Sequence, residues 1–356
     1  MKLGFGLYYH QLTDENFRFA RQCGATHLTV HLVDYFHGNK ENDNQPVGDK
    51  QGWGIAGHTL KQWETDSLIK LRKRVEKHGL ELFAIENFDP AQWYDVLLAG
   101  PKREEQLEGL KKIIRNVGEA GISTIGYNFS IAGVYGRRES KAARGNADTV
   151  EVHKNKEHDI PIPKGTIWNM TYDKNAESGV VENFSHDELW KRLKVFLDAV
   201  LPVAEENGVT LAAHPDDPPF KTLRQTPRLV YQPHMFKKLL ELHPSNKNKL
   251  EFCIGTTAEM TEGDVYEATA EYSSGNSIAY VHCRNVRGKI PSYEEVFIDE
   301  GDIDIIRIFK ILKENNFKGI IIPDHAPLMS CSAPWHAGMA YTMGFLQAAL
   351  KAVKEI

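Results

Sequence analysis

Short apolar segments recur along the whole chain and predict eight β-strands. Most of these segments are continuously apolar, which is typical of parallel strands buried on both faces of a sheet. The pattern therefore favours a parallel sheet. The predicted strands are Leu3–Tyr9, His27–Leu32, Leu80–Glu86, Thr124–Phe129, Val209–His214, Leu250–Gly255, Ile278–Cys283 and Gly319–Pro323.

Amphipathic segments with helical periodicity separate the strands. Several of them end in a glycine just before the next strand, as helices commonly do. Ser185 and Glu188 form a potential capping box at the start of one such segment. The predicted helices include 66–78, 103–120, 189–207, 235–242 and 303–315, with 337–353 as the closing helix.

Eight strands that alternate with helices predict the fold class α/β and, within it, a (β/α)8 TIM barrel. We expect residues 1–356 to form this barrel as a single domain. An open doubly wound sheet is the alternative, but no GxGxxG motif follows a predicted strand.

Two long polar segments interrupt the repeat, at about residues 33–60 and 130–184. They follow the second and the fourth predicted strand and are rich in glycine, asparagine and aspartate. In a barrel they would be insertions over the C-terminal mouth, where long loops are often functional. Their length fits surface insertions or contacts between subunits equally well.

Composition and charge restrict the classes of partner. Hydrophobic residues make up 41% of the 356 positions and charged residues 26%, which predicts an ordinary folded protein with a large core. A net charge of −5 argues against a nucleic-acid partner, although a small anion needs only local cations. No segment approaches the roughly 20 apolar residues of a membrane span. The four cysteines form no CxxC pair, so we expect a reducing, cytoplasmic location.

One potential metal ligand lies at or near the end of each of the last four predicted strands: His214, Cys253, His282 and Asp324. The C-terminal ends of barrel strands converge on one mouth, so these side chains should share a space. Two imidazoles, a thiolate and a carboxylate suit one divalent ion. A lone histidine or buried cysteine is more often structural, but four at equivalent positions favour a metal site.

Residues next to these four could bind or activate a substrate. Arg284 and Asn285 follow His282, and their guanidinium and amide groups could bind a carboxylate. His325 follows Asp324 and could transfer a proton. A surface salt bridge is the alternative for Arg284, and an ordinary loop position is the alternative for His325.

The segment HPDDPP at 214–219 contains two further carboxylates, Asp216 and Asp217. They could contact substrate hydroxyls, hydrogen-bond the metal ligands or hold the turn that the prolines stiffen. The sequence leaves these alternatives open.

Several stretches at and around these positions resemble one family. They are IRNVGEAGI at 114–122, YNF at 127–129, LAAHPDDPP at 211–219, FCIGT at 252–256, VHCRNV at 281–286, DEGDID at 299–304 and IPDH at 322–325. Together they resemble the mannonate dehydratases, which belong to the xylose isomerase-like TIM-barrel enzymes. The resemblance implies conversion of D-mannonate to 2-keto-3-deoxy-D-gluconate and water, in hexuronate (glucuronate) catabolism.

The resemblance also implies site residues. It assigns His214, Cys253, His282 and Asp324 to one divalent metal ion, with Mn²⁺ or Fe²⁺ favoured and Co²⁺ or Zn²⁺ possible. It implies that Asn128 and Arg137, with Arg138 as a neighbouring alternative, line a sugar-acid pocket. Asp302 would lie near the substrate or cap the next helix, and Asp216 and Arg284 join the predicted substrate-binding residues.

The chain departs from this family after IPDH. The family usually continues with a charged, glycine-rich loop that carries a tyrosine for proton transfer, whereas this chain reads APLMSCSAPWHAGMAYTMGF at 326–345. His336 lies near the expected tyrosine, and Tyr341 lies within the predicted closing helix. We therefore predict His325 as the first proton-transfer residue and His336 or Tyr341 as the second.

Two alternative functions remain open. Loss of a proton next to a metal-bound oxygen also starts other reactions, so the chain could be a dehydratase, isomerase or epimerase for another sugar or sugar acid. The altered loop at 326–340 would also fit a non-catalytic sugar-acid-binding homologue. In each case the expected partner is a small-molecule sugar acid or sugar, and a homo-oligomer is possible.

Overall fold

The computed structural model describes residues 1–38, 45–46 and 52–355. Residues 39–44 and 47–51 of the first predicted insertion lie outside this range. The strands are β1 (Lys2–Leu7), β2 (His27–His31), β3 (Gly54–Ile55), β4 (Glu81–Glu86), β5 (Thr124–Tyr127), β6 (Arg137–Ala143), β7 (Ala147–His153), β8 (Thr166–Ile167), β9 (Met170–Thr171), β10 (Thr210–Ala213), β11 (Thr222–Leu223), β12 (Thr226–Pro227), β13 (Asn248–Cys253), β14 (Ile278–Cys283), β15 (Asn285–Lys289), β16 (Ser292–Val296) and β17 (Ile320–Pro323).

Eight of these strands form a closed parallel barrel, which confirms the predicted TIM-barrel fold. The barrel order is β1, β2, β4, β5, β10, β13, β14 and β17, and Lys2 on β1 pairs with Ile320 on β17 to close it. Each barrel strand overlaps one of the eight apolar segments identified in the sequence. Continuous burial of a parallel strand on both faces explains why these segments were visible.

The helices form the outer layer, and those predicted agree within a few residues. Segments α1, α3, α7 and α8 lie outside the predicted set. The helices are α1 (Asp14–Gln22), α2 (Thr65–Glu76), α3 (Pro90–Leu98), α4 (Arg103–Glu119), α5 (His186–Glu206), α6 (Met235–Leu242), α7 (Ile254–Glu259), α8 (Val265–Ser274), α9 (Ile305–Glu314) and α10 (Pro334–Glu355).

Helix α5 illustrates how the sequence builds this layer. The Ser185 hydroxyl accepts a hydrogen bond from the Glu188 amide at 3.1 Å, so the helix begins directly after Ser185. Its fully buried residues, Leu189, Leu193 and Phe196, recur at helical spacing and face the barrel. Burial of each such side chain stabilises the fold by roughly 1.5–3 kcal/mol.

Three small sheets lie outside the barrel in the described residues, and the smallest pairs β11 with β12. Strands β6 and β7 join β16 and β15 in a four-stranded sheet, and β3 pairs with β9, which pairs with β8. The four-stranded sheet therefore joins the segment after β5 to the segment after β14. Within the described residues, no helix combines the length and the apolarity needed to cross a membrane.

Candidate active site

A cavity open to solvent lies at the C-terminal ends of the barrel strands. Tyr8 follows β1, His31 ends β2 and Glu86 ends β4, and all three line it. His214 and Asp324, which follow β10 and β17, also line it. The mouth of the barrel therefore collects side chains from strands far apart in sequence, as expected for this fold.

The four predicted metal ligands lie close together, and three of them, His214, His282 and Asp324, line this cavity. One potential ligand atom from each of His214, Cys253 and His282 lies within 4.8 Å of the others. Asp324 adjoins them, since its Oδ1 lies 3.6 Å from His282 Nδ1 and its Oδ2 lies 3.8 Å from Cys253 Sγ. His214, Cys253 and His282 thus form a group that could hold a metal ion, and the Asp324 carboxylate lies next to this group.

The two histidines of this group each direct one ring nitrogen away from their hydrogen-bond partners. The Nδ1 of His214 contacts the Pro215 carbonyl at 2.7 Å, which leaves Nε2 as the free nitrogen. Burial, followed by the nearby His282, lowers the pKa of His214 to about 4, so this imidazole is neutral and able to coordinate. The buried Nδ1 of His282 has no hydrogen-bond partner among the described residues. Buried polar atoms normally have a partner, so this nitrogen is a candidate metal ligand atom.

Cys253 is the N-cap of helix α7. Its Sγ receives hydrogen bonds from the amide of Thr256 at 3.4 Å and from the hydroxyl of Thr256 at 3.1 Å. Burial raises the pKa of the Cys253 thiol, and the positive charge of Arg284 opposes that rise. A cation next to the sulfur would favour the thiolate form.

Two buried carboxylates hold the other nitrogen of His282. Its Nε2 lies 3.1 Å from Glu86 Oε1 and 3.1 Å from Glu251 Oε1. Burial alone would lower the pKa of His282, but these carboxylates and Asp324 raise it to about 10. Such a pair of contacts fixes the ring orientation and increases the basicity of a ligand histidine.

The sequence analysis did not predict Glu86 and Glu251 as site residues, although the position of each on its strand indicated it. Glu86 ends a predicted strand, as the four candidate ligands do. Glu251 lies two residues before Cys253 on β13 and so points to the same face.

Arg284 lies beneath the cavity with all three guanidinium nitrogens in contact with carboxylates. Its Nε lies 2.9 Å from Asp324, its Nη1 lies 2.6 Å from Glu259 and its Nη2 lies 2.7 Å from Asp217. Gly255 makes room for this side chain, since a Cβ at Gly255 would lie 2.6 Å from Arg284 Cγ.

Asp217 connects Arg284 to Arg137. Its Oδ2 pairs with both guanidinium groups, and its Oδ1 accepts a hydrogen bond from Tyr293 at 3.0 Å. Burial would raise the pKa of Asp217, but Arg137 and Arg284 hold it well below its usual range. Asp217, not its neighbour, lines the cavity.

Asp216 turns away from the cavity and holds the backbone. Its Oδ2 accepts hydrogen bonds from the amides of Leu229 and Val230 at 2.7 and 2.9 Å. Its Oδ1 lies 2.6 Å from Arg228 Nε. The two adjacent aspartates therefore have separate environments, and residue type alone could not distinguish them.

His325 lines the cavity between two carboxylates. Its Nδ1 lies 3.1 Å from Glu295 Oε2, and its Nε2 lies 3.0 Å from Asp324 Oδ1. Burial would raise the pKa of Glu295, but His325, Arg284 and Arg137 lower it to about 2. Glu295 was also missed, because it lies on β16, in a short antiparallel sheet without a strong apolar pattern.

Asn128 and Arg137, the two residues implied for the sugar-acid pocket, both line the cavity. Asn128 donates a hydrogen bond to the Pro215 carbonyl at 2.8 Å. Arg137 contacts Gln45 and Asp217. Arg138 instead pairs with Glu157 in an exposed position.

Four other predicted site residues lie elsewhere. Asn285 donates hydrogen bonds to the Ile298 and Ile303 carbonyls, and the exposed Asp302 accepts one from the Gly288 amide. His336 contacts Asn16 at 3.2 Å, and the Tyr341 hydroxyl contacts Arg144 at 3.3 Å. None of these four is among the residues that line the cavity in the described part of the chain. Their roles at the site stay predictions.

An aromatic wall faces the metal-ligand side of the cavity. His31 Nε2 lies 3.0 Å from Glu86 Oε2, and its ring stacks on Tyr8 with centroids 4.8 Å apart. Trp53 and Trp168, one from each long polar segment, pack edge to face with centroids 6.0 Å apart. The arrangement offers aromatic faces opposite charged groups, which suits a polar substrate with a carbon backbone.

Comparison with known proteins adds independent findings. The sequence model of the D-mannonate dehydratase family matches residues 57–350. The mannonate dehydratase of Streptococcus pneumoniae (strain 70585) is 30% identical over 277 residues, which cover 74% of each chain. That of Oceanobacillus iheyensis is 29% identical over 284 residues, or 75% of this chain and 78% of the relative.

Solved structures resemble the whole chain. The mannonate dehydratase from Streptococcus suis serotype 2 superposes with a TM-score of 0.75 at 24% identity, covering 100% of this chain and 94% of that one. An L-ribulose 3-epimerase superposes with a TM-score of 0.58 at 15% identity, covering 99% and 95% of the two chains. At these identities the likeness supports the fold.

Proposed function

We propose, since this chain belongs to the D-mannonate dehydratase family, that it removes water from D-mannonate to give 2-keto-3-deoxy-D-gluconate. Enzymes of this family are hydro-lyases. The observation that carries the proposal is the grouping of His214, Cys253, His282 and Asp324 next to His325 at the mouth of the barrel. We place the reaction in hexuronate (glucuronate) catabolism, as the resemblance implies.

We propose that His214, Cys253, His282 and Asp324 hold one divalent ion, with Mn²⁺ or Fe²⁺ favoured over Co²⁺ and Zn²⁺. The unpartnered Nδ1 of His282 and the neutral, oriented imidazole of His214 support this assignment. When bound, such an ion attracts oxygen atoms of the substrate and stabilises negative charge that develops on them. Glu86 and Glu251 hold the His282 ring in the orientation that coordination needs.

His325 is the proton-transfer residue of the proposal. Dehydration of an aldonate needs removal of the C2 proton, protonation of the departing C3 hydroxyl and tautomerisation of the resulting enol. His325 Nδ1 contacts Glu295 and Nε2 contacts Asp324, and these two contacts orient the ring. Nε2 would exchange its contact with Asp324 for one with the substrate when it transfers a proton. His325 also lines the cavity, where a bound aldonate would lie within its reach.

Arg137 is a better candidate than Arg284 to bind the substrate carboxylate. It lines the cavity, and its Nε has no hydrogen-bond partner among the described residues. Arg284 already forms ion pairs with four carboxylates, those of Asp217, Glu259, Glu295 and Asp324, so we assign it the positioning of Asp324. Asn128, next to His214, would orient a substrate hydroxyl through its Oδ1, which lacks a partner in the described part of the chain.

We also propose a domain organisation, a cellular location and an oligomeric state for the chain. Residues 1–356 would act as one barrel domain, with 33–60 and 130–184 over the mouth, and the contact of Trp53 with Trp168 supports this arrangement. The free state of Cys23, Cys253, Cys283 and Cys331 supports a reducing cytoplasm. A homo-oligomer remains part of the proposal.

A panel of C6 and C5 aldonates, assayed with Mn²⁺, Fe²⁺, Co²⁺ and Mg²⁺, tests the function. We expect a 2-keto-3-deoxy acid from D-mannonate at a higher rate than from the other aldonates. Isomers or epimers without loss of water would instead indicate an isomerase or epimerase. Metal-dependent binding of aldonates without any turnover would indicate a binding protein.

A further inference from the structure

A second group of potential metal ligands lies outside the cavity, on the segment that follows β2. One potential ligand atom from each of Asp34, His37 and His58 lies within 4.8 Å of the others. None of the three is among the residues that line the cavity. Asp34 is buried, His37 is partly exposed and His58 is exposed.

Backbone contacts bring the two histidines together. The His37 carbonyl accepts a hydrogen bond from the Ile55 amide at 2.9 Å, which pairs the end of one segment with β3. Gly54 has a φ of 119°, and a Cβ there would lie 2.7 Å from that same carbonyl, so the close approach requires glycine. The imidazoles of His37 and His58 stack with centroids 3.6 Å apart and planes 9° apart.

Asp89 fixes the turn that carries His58. Its carboxylate accepts hydrogen bonds from the Gly57 amide at 2.9 and 3.1 Å and from the Ala91 amide at 2.8 Å. Burial raises the pKa of Asp89, these amides oppose the rise and the nearby Asp34 adds to it. Asp34 and Asp89 therefore repel each other in a buried setting.

No Lys or Arg of the described ranges forms an ion pair with Asp34 or Asp89. The ion pair recorded for Asp34 is with His37, at 4.0 Å. Buried carboxylates normally have a cation or several hydrogen bonds next to them, because removal of their charge from water is costly. Asp89 has several hydrogen bonds, whereas the Asp34 carboxylate accepts one from the Phe36 amide at 3.1 Å. A buried Asp34 beside two imidazoles, without a Lys or Arg partner in the described ranges, is a setting in which a metal cation would be stabilised.

We propose that Asp34, His37 and His58 bind a second divalent ion, for which Zn²⁺ has the best-suited chemistry. Two imidazoles and one carboxylate are a common zinc ligand set, with water as the fourth ligand. Zinc–nitrogen distances of about 2.0–2.1 Å place ligand atoms roughly 3.3 Å apart in a tetrahedron. The rings must turn out of their parallel stack to bring both nitrogens to the ion, and the exposed His58 is free to rotate in solvent.

A metal ion at this site would connect two segments that carry residues of the cavity wall. Asp34 and His37 flank Tyr35, and His58 follows β3, which comes directly after Trp53; both Tyr35 and Trp53 line the cavity. The ion would link the segment after β2 to the turn after β3, and so would stabilise that wall. Because His58 is exposed, the ion should exchange more readily than one held at the barrel mouth.

The test counts zinc in metal-free protein after equilibrium dialysis. We expect about two ions per chain in the wild type and about one in His58→Ala or His37→Ala. His234→Ala is the matched control, because His234 is an exposed histidine 3.4 Å from Glu262, far from this group in sequence, and it should keep about two ions. The difference between the variants and the wild type reports on this site alone. A zinc count in both His37→Ala and His58→Ala equal to that of the wild type would overturn the proposal.

A second measurement removes the contribution of the barrel mouth. In Cys253→Ser we expect zinc to raise the melting temperature still, and we expect that rise to disappear in the double variant Cys253→Ser/His58→Ala. Circular dichroism of each variant establishes that it is folded before the comparison is made. A zinc-induced rise of equal size in both variants would contradict the assignment. Neither measurement uses turnover, so the result is independent of the dehydratase proposal.

Discussion

The two groups of potential metal ligands on this chain are held in different ways. His214, Cys253 and His282 come from three barrel strands or their ends, and Glu86 and Glu251 hold His282 from behind. Asp34, His37 and His58 come from one segment, and a histidine stack and backbone contacts hold them. Ligands at the ends of barrel strands are held in fixed positions by the barrel, whereas ligands on a loop can change their positions more easily. The central group should therefore bind metal more tightly.

The largest expected effect comes from removal of a central ligand. Cys253→Ala and His214→Ala should each reduce the metal content of the purified protein to near background, and turnover should fall with it, because the remaining ligands cannot complete the site. Metal analysis and the aldonate assay measure the two effects. Full occupancy in both variants would contradict the four-ligand assignment. His234→Ala should retain the metal and the turnover of the wild type.

The next effect separates chemistry from metal binding within the central group. His325→Asn should reduce kcat by roughly 10²–10⁴-fold, the usual contribution of a general acid or base. Its metal content should stay close to that of the wild type, because His325 contacts the ligand Asp324 without being one of the four ligands. Wild-type kcat in this variant would exclude His325 from proton transfer.

A matched pair of variants compares how strongly metal binding at each group depends on a carboxylate that positions its ligands. Glu86→Gln should weaken metal binding at the barrel mouth by roughly 10–100-fold, because it removes the charge behind His282. Asp89→Asn should weaken zinc binding at Asp34, His37 and His58 only a few-fold, since Asp89 acts there through the Gly57 amide. Competition with a chelator of known affinity measures both. Equal losses in the two variants would remove the proposed difference in rigidity.

The smallest effect concerns the pH dependence of stability. The pKa of Glu295 falls from 4.5 to about 2 in the fold, which corresponds to about 3 kcal/mol of stability at neutral pH. A carboxylate with a lowered pKa stabilises the fold above its unfolded value, and this contribution is lost as pH falls from about 4.5 towards 2.

The free energy of unfolding of the wild type should therefore fall more steeply than that of Glu295→Gln as the pH drops from about 5 to 3. Denaturant titrations at each pH measure the slopes. Glu294→Gln, which changes a more exposed neighbouring carboxylate, should follow the wild-type slope. Identical slopes for all three proteins would show that Glu295 is not ionised in the way proposed.

The barrel was predictable because parallel strands leave a strong apolar signal. The strand Ile278–Cys283 has the predicted bounds in the structure, and the other seven barrel strands overlap their predictions. The strands β6 and β16 were not predicted, since sequences such as RRESKAA in β6 alternate weakly and lie outside the core. Long-range pairing of β16 with β7 leaves no local pattern to detect.

The site was predictable where a residue ends a barrel strand. His214, Cys253, His282 and Asp324 were predicted as ligands from that position, and the structure groups them. Glu86 and His31 share the position but were overlooked. Glu295 reaches His325 from the small sheet, and no local sequence pattern encodes that contact. Asp216 and Asp217 differ in the direction of their side chains after β10, which depends on the three-dimensional course of the turn.

The ion pairs that Arg284 forms through all three of its guanidinium nitrogens restrict how this position can change in evolution. Lysine would keep the positive charge, but its single nitrogen could not meet Asp324, Glu259 and Asp217 at once. At least one of these buried carboxylates would then lack its ion-pair partner. Substitution tolerance at Arg284 thus depends on the shape of the side chain as much as on its charge, and a charge-conserving replacement should be nearly as harmful as a neutral one.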